Sequence, residues 1–313
     1  MGEVLLNPFF IAAGAAGVLL IVLALLWKRR AGAARPEPHP SPLPPSPHEA
    51  AWTGWRRFKV RKRVDEDAGG RYVSFYLSPE NRRRLPAFEP GQHIRVRIEA
   101  PDPAQPGRMI DWIRPFYLSD SANGRYYRIG VQRREGGAGA EGEVSTYLIE
   151  NLRKGGLVEV QSPAGACPFE LDSAAPLVLI ATGAGIAPLL AVCNTLIDRK
   201  SARPVSIFYG MRGESELIHL SNFEYAASHL PDAKIQLCFS ETMPDGTVDG
   251  ATTGDGVVYR KGSIGTAFLK KHLELPEQIY YLCGPDETLD ALAADLEALG
   301  VPGDRIHRAA FSE

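Results

Sequence analysis

The sequence predicts a β plus α/β protein: an N-terminal transmembrane helix, then a small antiparallel β-barrel, then a parallel α/β domain. Three observations carry that expectation. A long uncharged apolar run stands at the N-terminus. Short strands of period two, punctuated by Gly and Pro, fill the middle of the chain. From about Leu171, continuous apolar strands ending in glycine alternate with helical stretches, the pattern of a parallel sheet covered on both faces.

The first element is "PFFIAAGAAGVLLIVLALLW", Pro8 to Trp27, which contains no charge. It matches the roughly 20 residues that cross a bilayer core. Trp27 ends it as an interfacial anchor, and Lys28, Arg29 and Arg30 follow at once. Only Glu3 and the terminal amine are charged before it, so the positive-inside rule places the N-terminus outside and the remainder in the cytoplasm. A cleaved signal peptide would carry its basic residues ahead of a shorter apolar core of about 7–15 residues. Residues 1–30 are therefore expected to be a single-pass membrane anchor. Residues 31–51 are so rich in proline that they predict an extended, semi-rigid spacer, with a proline-recognition ligand as the other reading.

Residues 52–170 are expected to form the barrel. "YVSFYLS", "HIRVRIEA", "PFYLSD", "YYRIGVQRR" and "LVEVQSP" are its strands, interrupted by a helix at Val144 to Leu152. The basic run "WRRFKVRKR", Trp55 to Arg63, reads either as a solvated strand face or as a membrane-surface or partner contact. Residues 171–313 are expected to form the α/β domain, with strands at "PLVLIATG", "PVSIFYG", "IQLCFS" and "IYYLCG".

Composition bounds the function. The 313 residues are 44% hydrophobic and 23% charged with a formal net charge of −2, which gives no support to a nucleic-acid partner. Cys167, Cys193, Cys238 and Cys283 lie far apart, so neither an iron–sulfur cluster, a structural zinc nor a disulfide framework has a basis.

Four segments carry chemistry. In "LIATGAGIAP", Leu179 to Pro188, a buried strand runs into Thr182-Gly183-Ala184-Gly185 and then a helix. Two glycines let the backbone approach a diphosphate, the helix start favours negative charge, and Pro188 suits the first turn. Pro188 also stands where the full G-x-G-x-x-G fingerprint has its third glycine, so a plain tight turn is the competing reading. "YYLCGP", Tyr280 to Pro285, ends another parallel strand in Cys283-Gly284-Pro285, at the edge where α/β sheets bind ligands; a core cysteine and a turn would look the same. "EGEVSTYL", Glu141 to Leu148, puts Gly142 and Val144 before Ser145 and Thr146, which are either an anion site at a helix start or N-caps. "WIRPFYLSD", Trp112 to Asp120, places Arg114 and Pro115 ahead of Phe116 and Tyr117.

Taken in order, R-P-F-Y, G-x-V-S-T, T-G-x-G-x-x-P and C-G-P resemble the ferredoxin–NADP⁺ reductase superfamily, in the flavour of the single-flavin reductase modules of flavohaemoglobins and oxygenase reductases. "PGQH", Pro90 to His93, fits the same pattern, and the resemblance covers about Trp52 to Glu313. It implies FAD in the barrel and NADH or NADPH on the α/β domain. It assigns Arg114 to the flavin diphosphate, a guanidinium fork suiting phosphate oxygens. It puts Phe116 against the isoalloxazine and Tyr117 where the family has a small Ser or Thr hydroxyl near flavin N5, a departure. Gly142, Val144, Ser145 and Thr146 match the second flavin-diphosphate segment. Thr182, Gly183, Gly185 and Pro188 match the nicotinamide-nucleotide loop, and Cys283, Gly284 and Pro285 the strand end beside the nicotinamide. Phe311 is the candidate for a C-terminal aromatic against the flavin, or else part of a frayed tail. Arg212 after the second α/β strand suits a 2′-phosphate, whereas Glu214 and Glu216 oppose one, so NADH and NADPH stay open.

The resemblance implies hydride transfer from NAD(P)H to flavin, with Tyr117, Cys283 and Phe311 around the reacting rings. Electrons would pass on to a separate acceptor protein, or to a membrane quinone or haem. Two other readings remain: a ferric or free-flavin reductase, and a non-enzymatic membrane redox sensor whose flavin site has degenerated at Tyr117.

Overall fold

The computed structural model describes residues 51–310 apart from 68, 103–104, 106, 134–139 and 274–276. The chain divides into two units, Met1–His39 and Pro40–Glu313, and the described residues all belong to the second. The expected membrane helix, nearly all of the Pro-rich spacer and Phe311 lie outside the described residues. Among those described, no helix is long and apolar enough to cross a membrane.

The first half is an antiparallel sheet. Its strands are β1 (Arg56–Asp65), β2 (Tyr72–Pro79), β3 (His93–Pro101), β4 (Met109–Tyr117), β5 (Tyr127–Gln132) and β6 (Leu157–Val160), with helix α1 (Ala140–Asn151) between the last two. They run in the order β4-β3-β6-β1-β2-β5. A bridge between Leu118 and Ile129 brings the end of β4 onto β5 and rolls the sheet toward closure. Alternation sets the faces: Phe58, Val60, Ile94 and Val96 are buried, whereas Arg57, Lys59 and Arg95 between them point outward. Helix α1 begins at Ala140, ahead of the expected Val144, because strong helix formers extend the pattern backward.

The second half is a six-stranded parallel sheet. It comprises β7 (Leu177–Thr182), α2 (Ile186–Asp198), β8 (Val205–Met211), α3 (Leu220–His229), β9 (Lys234–Phe239), β10 (Val258–Lys261), α4 (Thr266–His272), β11 (Ile279–Gly284), α5 (Asp286–Ala298) and β12 (Ile306–Ala310). The order is β10-β9-β8-β7-β11-β12. Strands β7, β8, β9 and β11 stand where continuous apolar runs predict them. The half-buried β10 and the C-terminal β12 lack such runs, and both are edge strands.

A polar seam joins the halves. Arg128 on β5 is fully buried, 2% exposed, and donates from Nε to Ser119 Oγ at 3.0 Å and from a terminal nitrogen to the Ser119 carbonyl. Burial works against its charge, but the nearby Asp120, Tyr76 and Glu66 more than offset that. Asp120 accepts from Asn194 Nδ2 of α2 at 2.9 Å and from the Tyr126 hydroxyl at 3.0 Å. Glu66 pairs with His219 Nδ1 at 3.3 Å, and His219 starts α3. Ser121 donates to Asp198 at 2.5 Å. Tyr72 packs edge-on to His219 with ring centroids 5.3 Å apart.

Burial alone would raise the Glu66 pKa, yet His219, with smaller contributions from Ser74 and Arg128, holds it at about 2, below the ordinary 4.5. The depressed folded value means that its stabilisation is present above pH 4.5 and is lost as pH falls toward 2. Glu66→Gln is therefore expected to lose about 3 kcal/mol in urea unfolding at pH 7, the cost of breaking a buried pair. That gap should narrow steadily as pH is lowered below 4.5; a gap independent of pH would exclude the ion pair as its cause.

Candidate functional site

The chain runs outward from β7 in one direction through β8, β9 and β10, then returns to place β11 and β12 on its other side. The point of reversal lies between β7 and β11, and the crevice outside the strand ends there is where open α/β sheets hold ligands. Both nucleotide-loop segments reach this place: Thr182–Gly185 ends β7, and Cys283-Gly284-Pro285 ends β11.

Steric exclusion fits the two loops together. A Cβ on Gly185 would lie 2.1 Å from the Cys283 carbonyl oxygen and 2.8 Å from the Gly284 nitrogen. One on Gly284 would lie 2.6 Å from Thr182 Oγ1. Gly183 has a left-handed φ of +54° with open space beside it, and its carbonyl accepts from the buried Tyr209 hydroxyl at 3.4 Å. Gly183–Gly185 form a single 3₁₀ turn leading into α2, and no side chain caps either start, which suits backbone N–H groups to an anion. Pro188 is buried in the first turn of α2, where its missing donor costs no intrahelical bond. Thr182 Oγ1 is buried without a hydrogen-bond partner, so the crevice holds an unsatisfied polar atom beside Gly284.

Across from these loops, β4 presents two faces. Pairing with β3 puts Arg114 opposite Val96 and Phe116 opposite Ile94, on the face turned to the barrel core. Phe116 is half-buried against that core. Arg114 Nη1 donates to the Ile113 carbonyl at 3.0 Å, while its buried Nε has no partner. Pro115 is exposed and Tyr117 half-buried on the opposite face, where the Tyr117 ring meets His93 of "PGQH" edge-on at 5.8 Å. Phe116 and Tyr117 therefore do not share one surface.

In α1, Gly142 lies in the first turn and Val144 is buried. Ser145 and Thr146 are half-buried in the second turn, because the helix starts at Ala140. Neither is an N-cap, which corrects that expectation.

Two groups expected near the chemistry do not ionise around neutrality. Burial pushes the Cys283 thiol far up, and Cys283 is 0% exposed. Burial and the neighbouring Cys283 raise the Tyr117 phenol. The influence of Cys283 on Tyr117 places these two residues, from opposite halves, near one another, and their raised values leave them to shape and packing. Arg212 directly follows β8, where its backbone N–H donates to Glu216 at 2.8 Å and its Nε at 2.6 Å. Glu214 shares the same 3₁₀ turn as Glu216.

Sequence reading missed the seam residues Glu66, Arg128, Asn194 and His219. The only local signal was the Ser119-Asp120 that closes "WIRPFYLSD": polar residues ending a strand without turn chemistry.

Gly185→Ala is expected to cost about 2 kcal/mol by overpacking against the Cys283 peptide, and to weaken NAD(P)H binding. Gly183→Ala, with open space but a left-handed φ, should cost about 1 kcal/mol. Thermal unfolding and nucleotide titration would distinguish them; equal effects would refute the packing account.

Residues 179–293 match the family model described as an oxidoreductase NAD-binding domain. A flavohemoprotein of Chromobacterium violaceum is 32% identical over 267 residues, covering 84% of this chain and 62% of that protein. One from Bacillus cereus is 30% identical over 260 residues, covering 83% and 61%. The chain thus spans about three fifths of the length of these curated relatives. The FAD/NAD-binding domain of nitric oxide dioxygenase from Vibrio cholerae is 29% identical, with 82% of this chain covering 99% of that one at a TM-score of 0.66. That structure is nearly co-extensive with the described region. Cradle, strand order and relatives agree: the chain belongs to the ferredoxin–NADP⁺ reductase superfamily, as an NAD(P)H-dependent flavin oxidoreductase that uses FAD.

Proposed function

We propose that the protein is a membrane-tethered reductase that takes hydride from NAD(P)H and passes electrons to a separate, membrane-associated acceptor such as a haem or iron–sulfur protein, an oxygenase or desaturase, or a quinone. The observation that carries the chemistry is the switch-point crevice, where the Thr182–Gly185 turn packs against Cys283-Gly284 with Tyr117 opposite. The tether rests on the uncharged run Pro8 to Trp27 with Lys28 to Arg30 behind it. The catalytic halves would then lie in the cytoplasm.

The residues present fit the two cofactors. The unpartnered Arg114 Nε and the barrel-facing guanidinium suit a flavin diphosphate, and Phe116 on the same face offers an aromatic surface to its ring. The uncapped turn at Gly183–Gly185 suits the nucleotide diphosphate, and Thr182 Oγ1 supplies an unsatisfied polar atom in the crevice. When bound, FAD accepts hydride and can release electrons singly. The protein's part is to orient and exclude water, since neither Tyr117 nor Cys283 is an acid or base near pH 7.

Glu216 favours NADH. It holds Arg212 through both backbone and side chain and is itself kept ionised, so that guanidinium is already engaged by a carboxylate that would repel a 2′-phosphate.

Anaerobic addition of NADH is expected to bleach the flavin of the purified protein. A spectrum unchanged by either nucleotide would support the non-enzymatic sensor, and flavin lost on gel filtration the free-flavin reductase. Arg114→Ala should weaken FAD retention by about 2 kcal/mol, roughly thirtyfold, for one charge-assisted contact. The full chain should leave cell membranes only with detergent; release by salt alone would overturn the tether. NADH should be preferred over NADPH in kcat/KM, and Glu216→Gln should narrow that preference about tenfold through loss of a single close charge. An NADPH preference in the parent protein would overturn this assignment.

A further inference from the structure

Barrel strand β1 is basic along its outward face, and the surrounding loops extend that charge. Arg57, Lys59 and Arg61 are exposed on it, with Phe58 and Val60 buried beneath. A bulge between Val60 and Lys62 adds a residue to the strand at Arg61. The guanidinium of Arg61 lies over the Tyr126 ring at 5.8 Å, and Lys62 Nζ over Tyr76 at 5.3 Å.

Two loops are fastened to the strand. The turn after α1 bonds to β1 in both directions, Gly155 N–H donating to the Val60 carbonyl at 2.8 Å and Val60 N–H to the Gly156 carbonyl at 2.9 Å. It brings exposed Arg153 and Lys154 beside Lys59, whose Cε would lie 3.7 Å from a Cβ at Gly155. At the other end, Glu80 N–H donates to the Arg57 carbonyl at 3.0 Å, and Arg56 donates to Asn81 at 2.8 Å, placing exposed Arg82, Arg83 and Arg84 beside the start of β1.

The acids of this face are already matched. Glu80 pairs with Arg57, Glu159 with Arg97 and Asp65 with Arg63. Among the described residues, Lys59, Arg61, Arg82, Arg83, Arg84 and Lys154 have no carboxylate partner. Opposite Lys59 in the ladder, Leu157 is 42% exposed, an apolar side chain within a cationic field.

The chain's entry adds direction. Trp52 is pinned to the barrel, donating from Nε1 to the Val160 carbonyl at 3.2 Å and stacking near Phe58 and Tyr127. The Pro-rich spacer therefore ends at the start of β1, on the Phe58 side of the strand, where the Arg56 guanidinium lies 5.2 Å from the Trp52 ring and reaches Asn81 beside the Arg82–Arg84 loop. From these placements we infer that the outer face of β1, with the Arg82–Arg84 and Arg153–Lys154 loops, is a docking surface for anionic lipid headgroups. It would fix which side of the reductase faces the bilayer. Clustered Lys and Arg beside a membrane segment attract anionic lipid, and Leu157 can enter the interfacial layer. The spacer's end next to the Arg82–Arg84 loop favours lipid over an acidic protein. The inference deepens the tethered-reductase reading and rests on it for its physiological setting, although the surface itself does not need the anchor.

The test uses residues 52–313, the extent matched by the separately crystallised Vibrio cholerae domain, loaded with FAD and accepted only if it retains flavin. Sedimentation with phosphatidylcholine vesicles containing about one third phosphatidylglycerol should pull the protein down at low salt and release it near 0.5 M salt, as screening of surface charge requires. Pure phosphatidylcholine vesicles should not bind it. A K59E/R61E/K154E variant should bind at least about tenfold more weakly, with flavin content and anaerobic bleaching unchanged. Failure to bind anionic vesicles, or binding indifferent to charge reversal, overturns the proposal. So does the finding that reversal slows reduction of an acidic plant-type ferredoxin while leaving vesicle binding unchanged, which would make the face a protein dock. Loss of bleaching in the parent protein, or release of the full chain from membranes by salt, would instead overturn the tethered-reductase reading.

Discussion

A single buried cation, Arg128, sets the terms on which the two halves of the reductase meet. A guanidinium that is 2% exposed requires carboxylates close by, and those are Asp120 and Glu66. Each of these carboxylates reaches beyond the barrel, Asp120 to Asn194 on α2 and Glu66 to His219 at the start of α3. The requirement to neutralise one side chain thus ties the barrel to two separate helices of the α/β half. An apolar interface could slide with little penalty. A seam of directional hydrogen bonds between carboxylates and polar partners cannot, because each displaced partner leaves an unsatisfied group behind.

The seam is continuous with the site. Ser119 and Asp120 directly follow the strand that carries Arg114, Phe116 and Tyr117. Asn194 lies on the helix that begins at the Gly185 turn, and His219 follows the β8 strand end that carries Arg212 and Glu216. The residues that fix the relative placement of the halves are therefore short chain segments away from the residues that flank the crevice. Gly185 against the Cys283 peptide does the same within the α/β half, locking the β7 and β11 loops to each other. Orientation, the part of flavin chemistry a protein must supply, is built into these packing constraints.

Much of this was legible in the sequence. Apolar runs marked the four central strands of the parallel sheet, because strands buried on both faces must be apolar throughout. Thr182-Gly183-Ala184-Gly185 marked the turn, because close backbone approach demands glycine. Arg114 stood out as a cation without a packing reason. The edge strands β10 and β12 were missed since they carry no continuous apolar run, and local pattern is weakest at an edge. The early start of α1 moved Ser145 and Thr146 inside the helix, a boundary error with a chemical consequence. Glu66 and His219, or Asp120 and Asn194, are far apart in the chain, and no periodicity pairs distant polar residues.

The polar seam also bears on how such a chain can be shuffled. Glu66, Asp120, Ser121 and Arg128 all precede the α/β half, whereas Asn194, Asp198 and His219 lie within it. A recombination crossover at the junction near residue 171, the place where modular exchange is simplest, separates Glu66 from His219, Asp120 from Asn194 and Ser121 from Asp198 at once. One placed after His219 separates none of them but cuts through the parallel sheet. The two halves are modular in fold and co-inherited in charge, so exchange between divergent relatives has to carry the seam with it or replace both of its sides together.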